Sequence, residues 1–225
     1  TKANTLASLK PNLKKSLVEE LFIFTKSQWE ESPVEVLREL NNKFKGEIVV
    51  RSSSQIEDSY ISSYAGFFHS ELNIDPQDSN QVRKSISKVI TSYSRHENRS
   101  QEDQILVQSQ TQNVVYSGVV FTRNIQNNSP YYLINYDKSS STDSVTSGRV
   151  GNKLEIIRNI KLKNLLPPWK SLVESVKEIE GSLHNLALDF EFAINKSGKV
   201  VIFQVRPIAA SQKFSNTPDE KIFST

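Results

Sequence analysis

Cysteine and methionine are both absent from the 225 residues of this chain. The lack of cysteine excludes a disulfide framework, a thiolate metal site and a cysteine nucleophile. Glycine is scarce, and the sequence contains neither a complete G-x-G-x-x-G motif nor a G-x-x-x-x-G-K-[ST] motif. Those spacings mark Rossmann and P-loop nucleotide sites, so the sequence argues against both. The histidines His69, His96 and His184 lack metal-ligand spacing, which argues against a zinc enzyme.

Long apolar runs are missing as well. No stretch approaches the roughly 20 apolar residues that span a bilayer, and no signal-peptide pattern is present. We therefore expect a cytoplasmic protein with no membrane partner. The net charge of +3 comes with scattered lysines, which favours a solvated surface over a nucleic-acid interface. A basic nucleic-acid-binding domain is the more distant alternative.

The hydrophobic pattern predicts an α+β fold in which mainly antiparallel sheets carry flanking helices. Ser32-Pro33-Val34-Glu35 predicts a helix start, with Ser32 as the cap and Glu35 placed to bond back to it. Apolar stripes predict two longer helices, one from Val82 to Tyr93 and one from Trp169 to Ile179. The other predicted elements are a helix over 3–16 and strands over 47–51, 68–74, 105–108, 116–122, 131–136, 153–157, 188–194 and 200–206.

One polar segment follows an apolar strand near the end of the first quarter of the chain. It reads V-V-R-S-S-S-Q-I-E-D-S and places Arg51 before three hydroxyls and the adjacent carboxylates Glu57 and Asp58. A guanidinium with hydroxyls can hold an anion, and carboxylates can hold a divalent cation beside it, as a Mg-nucleotide site requires. The alternative is a polar turn in which Arg51 pairs with one of the two acids.

A second polar group is predicted on a hairpin at the other end of the chain, with 195–198 as its loop. Because side chains alternate along a strand, Asp189 and Glu191 share one face, and Gln204 and Arg206 share one face of the partner strand. We predict that Ile194 pairs with Lys199, which sets Glu191 opposite Ile202 and Asp189 opposite Gln204.

This pairing brings the acids, the amide and the guanidinium to one side of the hairpin. The acids can hold magnesium, and Gln204 and Arg206 can contact phosphate oxygens. The alternative is an exposed face with a cross-strand ion pair and no function.

Several motifs follow one another in a fixed order. They are V-R-S-S-S-x-x-E-D-S, S-Y-A-G at 63–66, V-Q at 107–108, S-G-V-V-F-T at 117–122 and L-D-F-E-F-A…F-Q-V-R-P at 188–207. In this order they resemble the nucleotide-binding domain of phosphoenolpyruvate synthase and pyruvate phosphate dikinase. The resemblance spans about residues 2 to 208. It implies an ATP-grasp fold, in which two α+β lobes clamp Mg-ATP, here 1–105 and 106–208 with 209–225 as a tail or linker.

The resemblance implies roles for residues of the first lobe. Lys2 resembles the phosphate-contacting lysine of the family's G-G-K-G-A-N-L segment, although the flanking glycines are missing and an ordinary surface lysine is the alternative. Arg51 resembles the family's phosphate-binding arginine, with Ser52 and Ser53 as nearby hydroxyl donors. Gln108 ends the strand that resembles the inter-lobe hinge, whose backbone meets adenine in the family.

In the second lobe, Glu191 resembles the metal-binding glutamate of the family's D-I-E-W segment. Gln204 and Arg206 resemble the polyphosphate contacts of its Q-x-R-P segment. Asp143 occupies the place of a glutamate in a G-L-G-E segment, which makes it either a metal ligand or a plain loop aspartate. Arg51 and Arg206 are expected to spread the charge of the triphosphate across a shared cleft and so to carry catalysis.

The implied function is that of an ATP-dependent phosphotransferase that uses ATP and Mg²⁺. The chain resembles the ATP-binding piece of a larger protein, whose partners are a swivelling domain with a phosphorylatable histidine and an acceptor-binding domain. The segment Y-Y-L-I-N-Y-D is closest to a branch from bacterial surface-polysaccharide gene clusters that includes glutamine kinases, so the amide of glutamine is one expected acceptor. A non-catalytic ATP-grasp module, acting as a nucleotide-binding scaffold or sensor, is the alternative.

Overall fold

A computed structural model describes residues 1–54, 70–93, 100–138 and 151–208. Contacts divide the chain into two compact units: Thr1–Ala7 with Val18–Gln112, and Ser8–Leu17 with Asn113–Thr225. The predicted boundary after residue 105 lies inside a strand of the first unit, which pairs with neighbours on both sides and so stays with that unit. No helix in the described ranges is long and apolar enough to span a bilayer.

The chain passes from the first unit to the second within its first helix, returns to the first unit at Val18 and enters the second unit again after Gln112. The helices are α1 (Lys2–Leu9), α2 (Lys26–Glu31), α3 (Pro33–Lys43), α4 (Ser79–Tyr93) and α5 (Pro167–Leu183), with single 3₁₀ turns at Lys10–Asn12 and Leu162–Asn164. The strands are β1 (Ser16–Leu17), β2 (Leu21–Thr25), β3 (Ile48–Ser53), β4 (Ser70–Ile74), β5 (Gln104–Ser109), β6 (Val114–Phe121), β7 (Tyr131–Asp137), β8 (Asn152–Ile157), β9 (Leu188–Asn195) and β10 (Val200–Pro207). The predicted helix over 3–16 is therefore shorter than expected.

The first unit is built on an antiparallel sheet of four strands in the order β2-β5-β3-β4. Because side chains alternate along each strand, one face of this sheet carries Phe24, Val50, Ile105 and Val107. We call it the core face. Helices α3 and α4 pack on it through their apolar stripes. The buried cluster consists of Phe24, Val36, Leu40, Phe44, Ile48, Val50, Ile74, Val82, Ile86, Val89, Tyr93, Ile105 and Val107. The opposite face, which we call the polar face, carries Arg51.

Helix α3 begins at Pro33, as predicted, but its predicted capping box does not form. The Ser32 side chain makes no capping hydrogen bond, and Glu35 instead forms an ion pair with Arg38. A complete capping box occurs one helix earlier, where Thr25 and Gln28 bond reciprocally at the start of α2. The backbone N–H of Ser32 donates to the Gln28 carbonyl at the end of α2. The conformation of Ser32 is therefore determined by the end of α2 as well as by the start of α3.

The second unit is built on a sheet of six strands in the order β1-β10-β9-β6-β7-β8. Every pairing is antiparallel except that of β1 with β10. Phe190, Phe192, Val120 and Ile134 point to one face, which we call the rear face, and are buried. Helix α5 covers the rear face with a buried stripe formed by Leu172, Val173, Val176 and Ile179.

The hairpin of β9 and β10 has a different register from the one predicted. Asn195 pairs with Lys199, so the loop has one residue fewer than expected, and Gly198 adopts a φ of 80° in it. The ladder shifts again between Ile202 and Gln204, where a bulge adds Phe203 to one strand.

Because of these two shifts, the observed residue pairs differ from the predicted pairs, but the acids, the amide and the guanidinium remain on the predicted face of the hairpin. Glu191 lies opposite Gln204 rather than Ile202, and Asp189 lies opposite Arg206 rather than Gln204. A shift of one residue exchanges the two faces of a strand, so two shifts restore the original one. The acids, the amide and the guanidinium therefore share the sheet face opposite α5, which we call the front face.

Candidate functional site

In the first unit, the end of β3 places the arginine on the polar face of the sheet. Arg51 is 6% exposed and lies opposite Leu106 of β5, while Ser53 lies opposite Gln104 on the same face. Ser52 lies opposite Ile105, so its side chain is on the core face. The structure thus brings Arg51 and Ser53 together on one face and separates Ser52 from them, because β3 continues through Ser53 and its side chains alternate.

The start of α1 is bound to this end of β3. The backbone N–H of Ala3 donates to Oγ of Ser53 at 2.9 Å. The preceding residue, Lys2, is 4% exposed, so the alternative of an ordinary surface lysine does not hold. The residues predicted to bind phosphate in the first unit therefore include two buried cations, Lys2 and Arg51, near a buried hydroxyl.

Gln108 lies within β5 rather than at a free hinge. It pairs with Leu21 of β2 and with Val49 of β3, so its backbone is part of the ladder on both sides. Its side chain is on the same polar face as Arg51 and is 3% exposed. The amide nitrogen is buried and makes no hydrogen bond within the described ranges. The contact of the Gln108 backbone with adenine stays a prediction, and the buried amide nitrogen is a further donor on the polar face.

In the second unit, the front face gathers the other predicted residues on β9 and β10. Glu191 and Gln204 are directly opposite each other, and Gln204 is buried. Next to them, Nε of Arg206 donates to Asp189 at 2.7 and 2.9 Å. The Asp189 side chain is 8% exposed and that of Arg206 is 38% exposed. The cross-strand ion pair of the alternative interpretation therefore exists, and it leaves more than a third of the Arg206 side chain in contact with solvent.

The front face fits a magnesium ion that is held jointly with a ligand. Magnesium sites in nucleotide enzymes use one or two carboxylates plus phosphate oxygens, rather than a cage made entirely of protein groups. Glu191 supplies one partly exposed carboxylate beside the amide of Gln204. No group of three acidic or histidine side chains with metal-binding geometry occurs among the described residues. Asp143, the other predicted ligand, lies outside the described residues.

The sequence also matches a known family. The profile of the pyruvate phosphate dikinase AMP/ATP-binding domain matches residues 4–152. The chain belongs to this family. The matched segment includes Arg51, Ser52, Ser53, Gln108 and Asp143, whereas Lys2 and the β9–β10 hairpin lie outside it. A search of curated proteins found no match.

Two solved ATP-grasp ligases have the same fold. The L-amino acid ligase from Bacillus licheniformis has a TM-score of 0.53 at 14% identity, over 92% of this chain and 42% of that one. The D-alanine–D-alanine ligase from Bacillus anthracis has a TM-score of 0.51 at 8% identity, over 99% of this chain and 61% of that one. At these identities the similarity shows the fold alone. The chain spans less than two thirds of either ligase.

The family and the fold make this chain an ATP-binding domain of the ATP-grasp type. Two contacts of the site were not predicted from the sequence. The sequence pattern places Asp189 among the acids that could hold magnesium, but Asp189 binds Arg206; opposite charges on one sheet face are the available signal. The pattern also places Tyr93 in an apolar stripe, but its hydroxyl binds the end of β3. The signal was the residue type, since a buried tyrosine hydroxyl usually finds a hydrogen-bond partner.

Proposed function

We propose that this chain is the Mg-ATP-binding domain of a phosphotransferase, and that it presents ATP for transfer of a phosphoryl group to a histidine on a separate domain. The observation that carries the proposal is the membership of the pyruvate phosphate dikinase AMP/ATP-binding domain family, combined with the chemistry on the polar face of one unit and the front face of the other. Each set of residues has its own part in the proposal.

The first unit supplies positive charge and hydroxyl groups for the polyphosphate. Lys2, Arg51 and Ser53 are buried at the end of β3 and the start of α1. Charge-assisted hydrogen bonds from such groups to phosphate oxygens are stronger than neutral ones, and burial strengthens them further. The amide of Gln108 supports a contact to the base, because its buried nitrogen has no partner among the described residues and such a donor is costly until a ligand satisfies it. Ser52 is left out of this set.

The second unit supplies one arginine and the magnesium-binding group. In the proposal, Arg206 contacts the polyphosphate while Asp189 holds its guanidinium in place, and Gln204 adds an amide. Glu191, together with Asp143, would hold the magnesium ion. When bound, magnesium neutralises charge on the phosphate oxygens, and the protein side chains orient the nucleotide.

Phosphoryl transfer depends mostly on positioning and electrostatic stabilisation, so this domain needs no nucleophile of its own. The proposed acceptor is an imidazole nitrogen of a histidine on a swivelling domain. A bond from phosphorus to that nitrogen forms as the bond from phosphorus to the nucleotide oxygen breaks. A third domain would then pass the phosphoryl group to a small acceptor such as the amide of glutamine. The proposed location is the cytoplasm, with no nucleic-acid or membrane partner.

Calorimetric titration of the whole chain with Mg-ATP tests the proposal. We expect saturable binding with a Kd below about 1 mM, and a loss of at least about tenfold in affinity for Arg51→Ala. Arg38→Ala is the matched control, because Arg38 is an exposed arginine of the same unit. Absence of binding heat at millimolar Mg-ATP, in a chain that melts cooperatively, would refute the proposal.

The non-catalytic alternative predicts the same binding but a different outcome in the full-length protein. A scaffold or sensor binds Mg-ATP without consuming it. A kinase or dikinase converts ATP and forms an acid-labile phosphohistidine, which ³²P-labelled ATP detects. Labelled histidine supports the phosphotransferase, and tight binding without label supports the scaffold.

A further inference from the structure

We propose that Tyr93 and Gln104 are positioning residues, which hold the start of α1 and the end of β3 in the arrangement that binds phosphate. The inference rests on the proposed function and adds residues to it that neither the family motifs nor the predicted site contain. It is carried by a continuous set of hydrogen bonds within the first unit.

The Tyr93 hydroxyl joins the end of α4 to two strands. It accepts from the backbone N–H of Ser53 at 3.0 Å and donates to the backbone carbonyl of Gln104 at 2.5 Å. Ser53 and Gln104 are directly opposite each other in the β3–β5 ladder, at its last pair. Beyond this pair the ladder ends, so the hydroxyl adds a bridge at the point where two strands would otherwise fray.

The next bond connects β3 to α1. With its backbone fixed by Tyr93, Ser53 accepts the N–H of Ala3 on its Oγ at 2.9 Å. Lys2 immediately precedes Ala3, and Arg51 lies on the same face of β3 as Ser53. Two hydrogen bonds therefore connect the Tyr93 hydroxyl to the backbone next to Lys2. The first of these bonds also holds Ser53, which lies on the same face of β3 as Arg51.

The Gln104 side chain holds the same helix start from β5. Its amide oxygen accepts from Oγ1 of Thr1 at 2.6 Å, and its amide nitrogen donates to Oδ1 of Asn4 at 3.1 Å. Thr1 in turn caps the helix, since its Oγ1 accepts the N–H of Asn4 at 3.2 Å. The first turn of α1 is thus held on both sides, by Ser53 and by Gln104.

The network reaches the two buried cations through their neighbours, because Ala3 follows Lys2 and Ser53 shares a strand face with Arg51, so its proposed effect is on the position of the charged groups. Binding sites lose affinity when the groups that support them loosen by about 1 Å. A merely structural role would lower the melting temperature without a specific effect on nucleotide binding. The positioning role predicts a loss of Mg-ATP affinity that exceeds the effect of an equal loss of stability elsewhere.

Tyr93→Phe is the direct test, and Tyr132→Phe is its matched control. Both remove one hydroxyl from a buried tyrosine, but Tyr132 lies in the second unit and bonds to Glu180 at 3.3 Å. We expect the Kd of the Tyr93 variant for Mg-ATP to rise about tenfold, and that of the Tyr132 variant to change less than about twofold, with comparable falls in melting temperature. An unchanged Kd for Tyr93→Phe, or an equal loss in both variants, would overturn the inference.

Gln104→Ala provides an independent variant that removes only side-chain contacts of a half-buried residue. It keeps the Tyr93 bond, which is to the Gln104 backbone, and deletes the bonds to Thr1 and Asn4. We expect a rise of about threefold to tenfold in Kd with the melting temperature nearly unchanged. Wild-type affinity in this variant would count against the inference even if the Tyr93 variant does not fold. Failure of the unaltered chain to bind Mg-ATP would instead refute the proposed function.

Discussion

The two faces of the six-stranded sheet each carry an arginine–carboxylate pair, and the surroundings of the two pairs differ. On the rear face, Arg158 binds Glu180 of α5 through Nη1 at 2.5 Å and through Nη2 at 3.0 Å, and the two side chains are 10% and 3% exposed. On the front face, Arg206 binds Asp189, and its side chain is 38% exposed. Both members of the rear pair are enclosed, whereas the front pair has a buried carboxylate and an arginine that is partly open to solvent.

The rear pair has further partners that use its remaining hydrogen-bonding capacity. Nη1 of Arg158 also donates to the Thr122 carbonyl at 2.8 Å, and the guanidinium lies 4.8 Å from the ring centre of Tyr132. Burial is the main cause of a raised pKa of the Tyr132 phenol, and the Glu180 carboxylate raises it further. An enclosed and satisfied group of this kind fixes the packing of α5 on the sheet, and the open pair on the front face is accessible to a ligand.

Loss of the rear pair should have the largest effect on stability. Arg158→Ala leaves the carboxylate of Glu180 buried without its cation, which we expect to cost about 3–5 kcal/mol in the free energy of unfolding. Urea denaturation measures this cost. Arg123→Ala, which removes an arginine of the same unit whose Nη1 bonds to the Asn128 carbonyl, is the control and should cost less than about half as much. Equal losses would mean that the enclosure of the rear pair has no special importance.

Loss of the front pair should act on binding more than on folding. We expect Arg206→Ala to weaken Mg-ATP binding about 30-fold or more while the free energy of unfolding falls by about 1–3 kcal/mol, less than for Arg158→Ala, because Arg206 is partly solvated although the Asp189 carboxylate is buried. Calorimetric titration measures the loss of affinity, and urea denaturation of the same sample measures the loss of stability. If the variant binds Mg-ATP normally and is strongly destabilised, the front pair is as structural as the rear one.

The magnesium role of Glu191 predicts a smaller and more selective effect. Glu191→Gln should weaken binding of Mg-ATP about tenfold but leave binding of ATP in excess chelator nearly unchanged, because the metal contact depends on the carboxylate charge. Glu155→Gln is the control, since Glu155 is an exposed acid opposite Leu133 in the same sheet. A variant that loses affinity equally with and without magnesium would assign Glu191 to another role.

The smallest expected effect is a loss of stability at alkaline pH, which comes from Tyr132 on the rear face. The pKa of Tyr132 is raised in the folded chain, so folding favours the protonated phenol. Its contribution to stability is complete below the unfolded pKa of about 10 and declines as the pH rises from there toward the folded pKa. Denaturation midpoints of wild type and Tyr132→Phe between neutral and alkaline pH should converge above about pH 10. A constant difference across that range would contradict the assignment.

The sequence supports the fold class, the family and the strand faces, because these depend on local patterns. Alternation alone places Asp189, Glu191, Gln204 and Arg206 on one face, and two register shifts did not change that result. Alternation does not predict which residues pair across the hairpin. That pairing depends on the loop length and on the bulge at Phe203, and neither has a clear local signal in the sequence. Alternation also separates Ser52 from Ser53, which the run of serines in the motif obscures. The expectation that Arg51 and Arg206 act across a shared cleft stays a prediction.

Residue type and spacing therefore determined which chemistry this protein carries: a basic and hydroxyl-bearing strand end, an acidic and amide-bearing hairpin, and no thiol or P-loop. Tertiary structure alone decided which of those groups are enclosed and what they bind. Asp189 meets Arg206 rather than Gln204, and the Tyr93 hydroxyl reaches Ser53 across 40 residues of sequence. The physical reason is that a hydrogen bond or ion pair depends on distances of about 3 Å, and such distances between remote residues are set by packing rather than by local pattern.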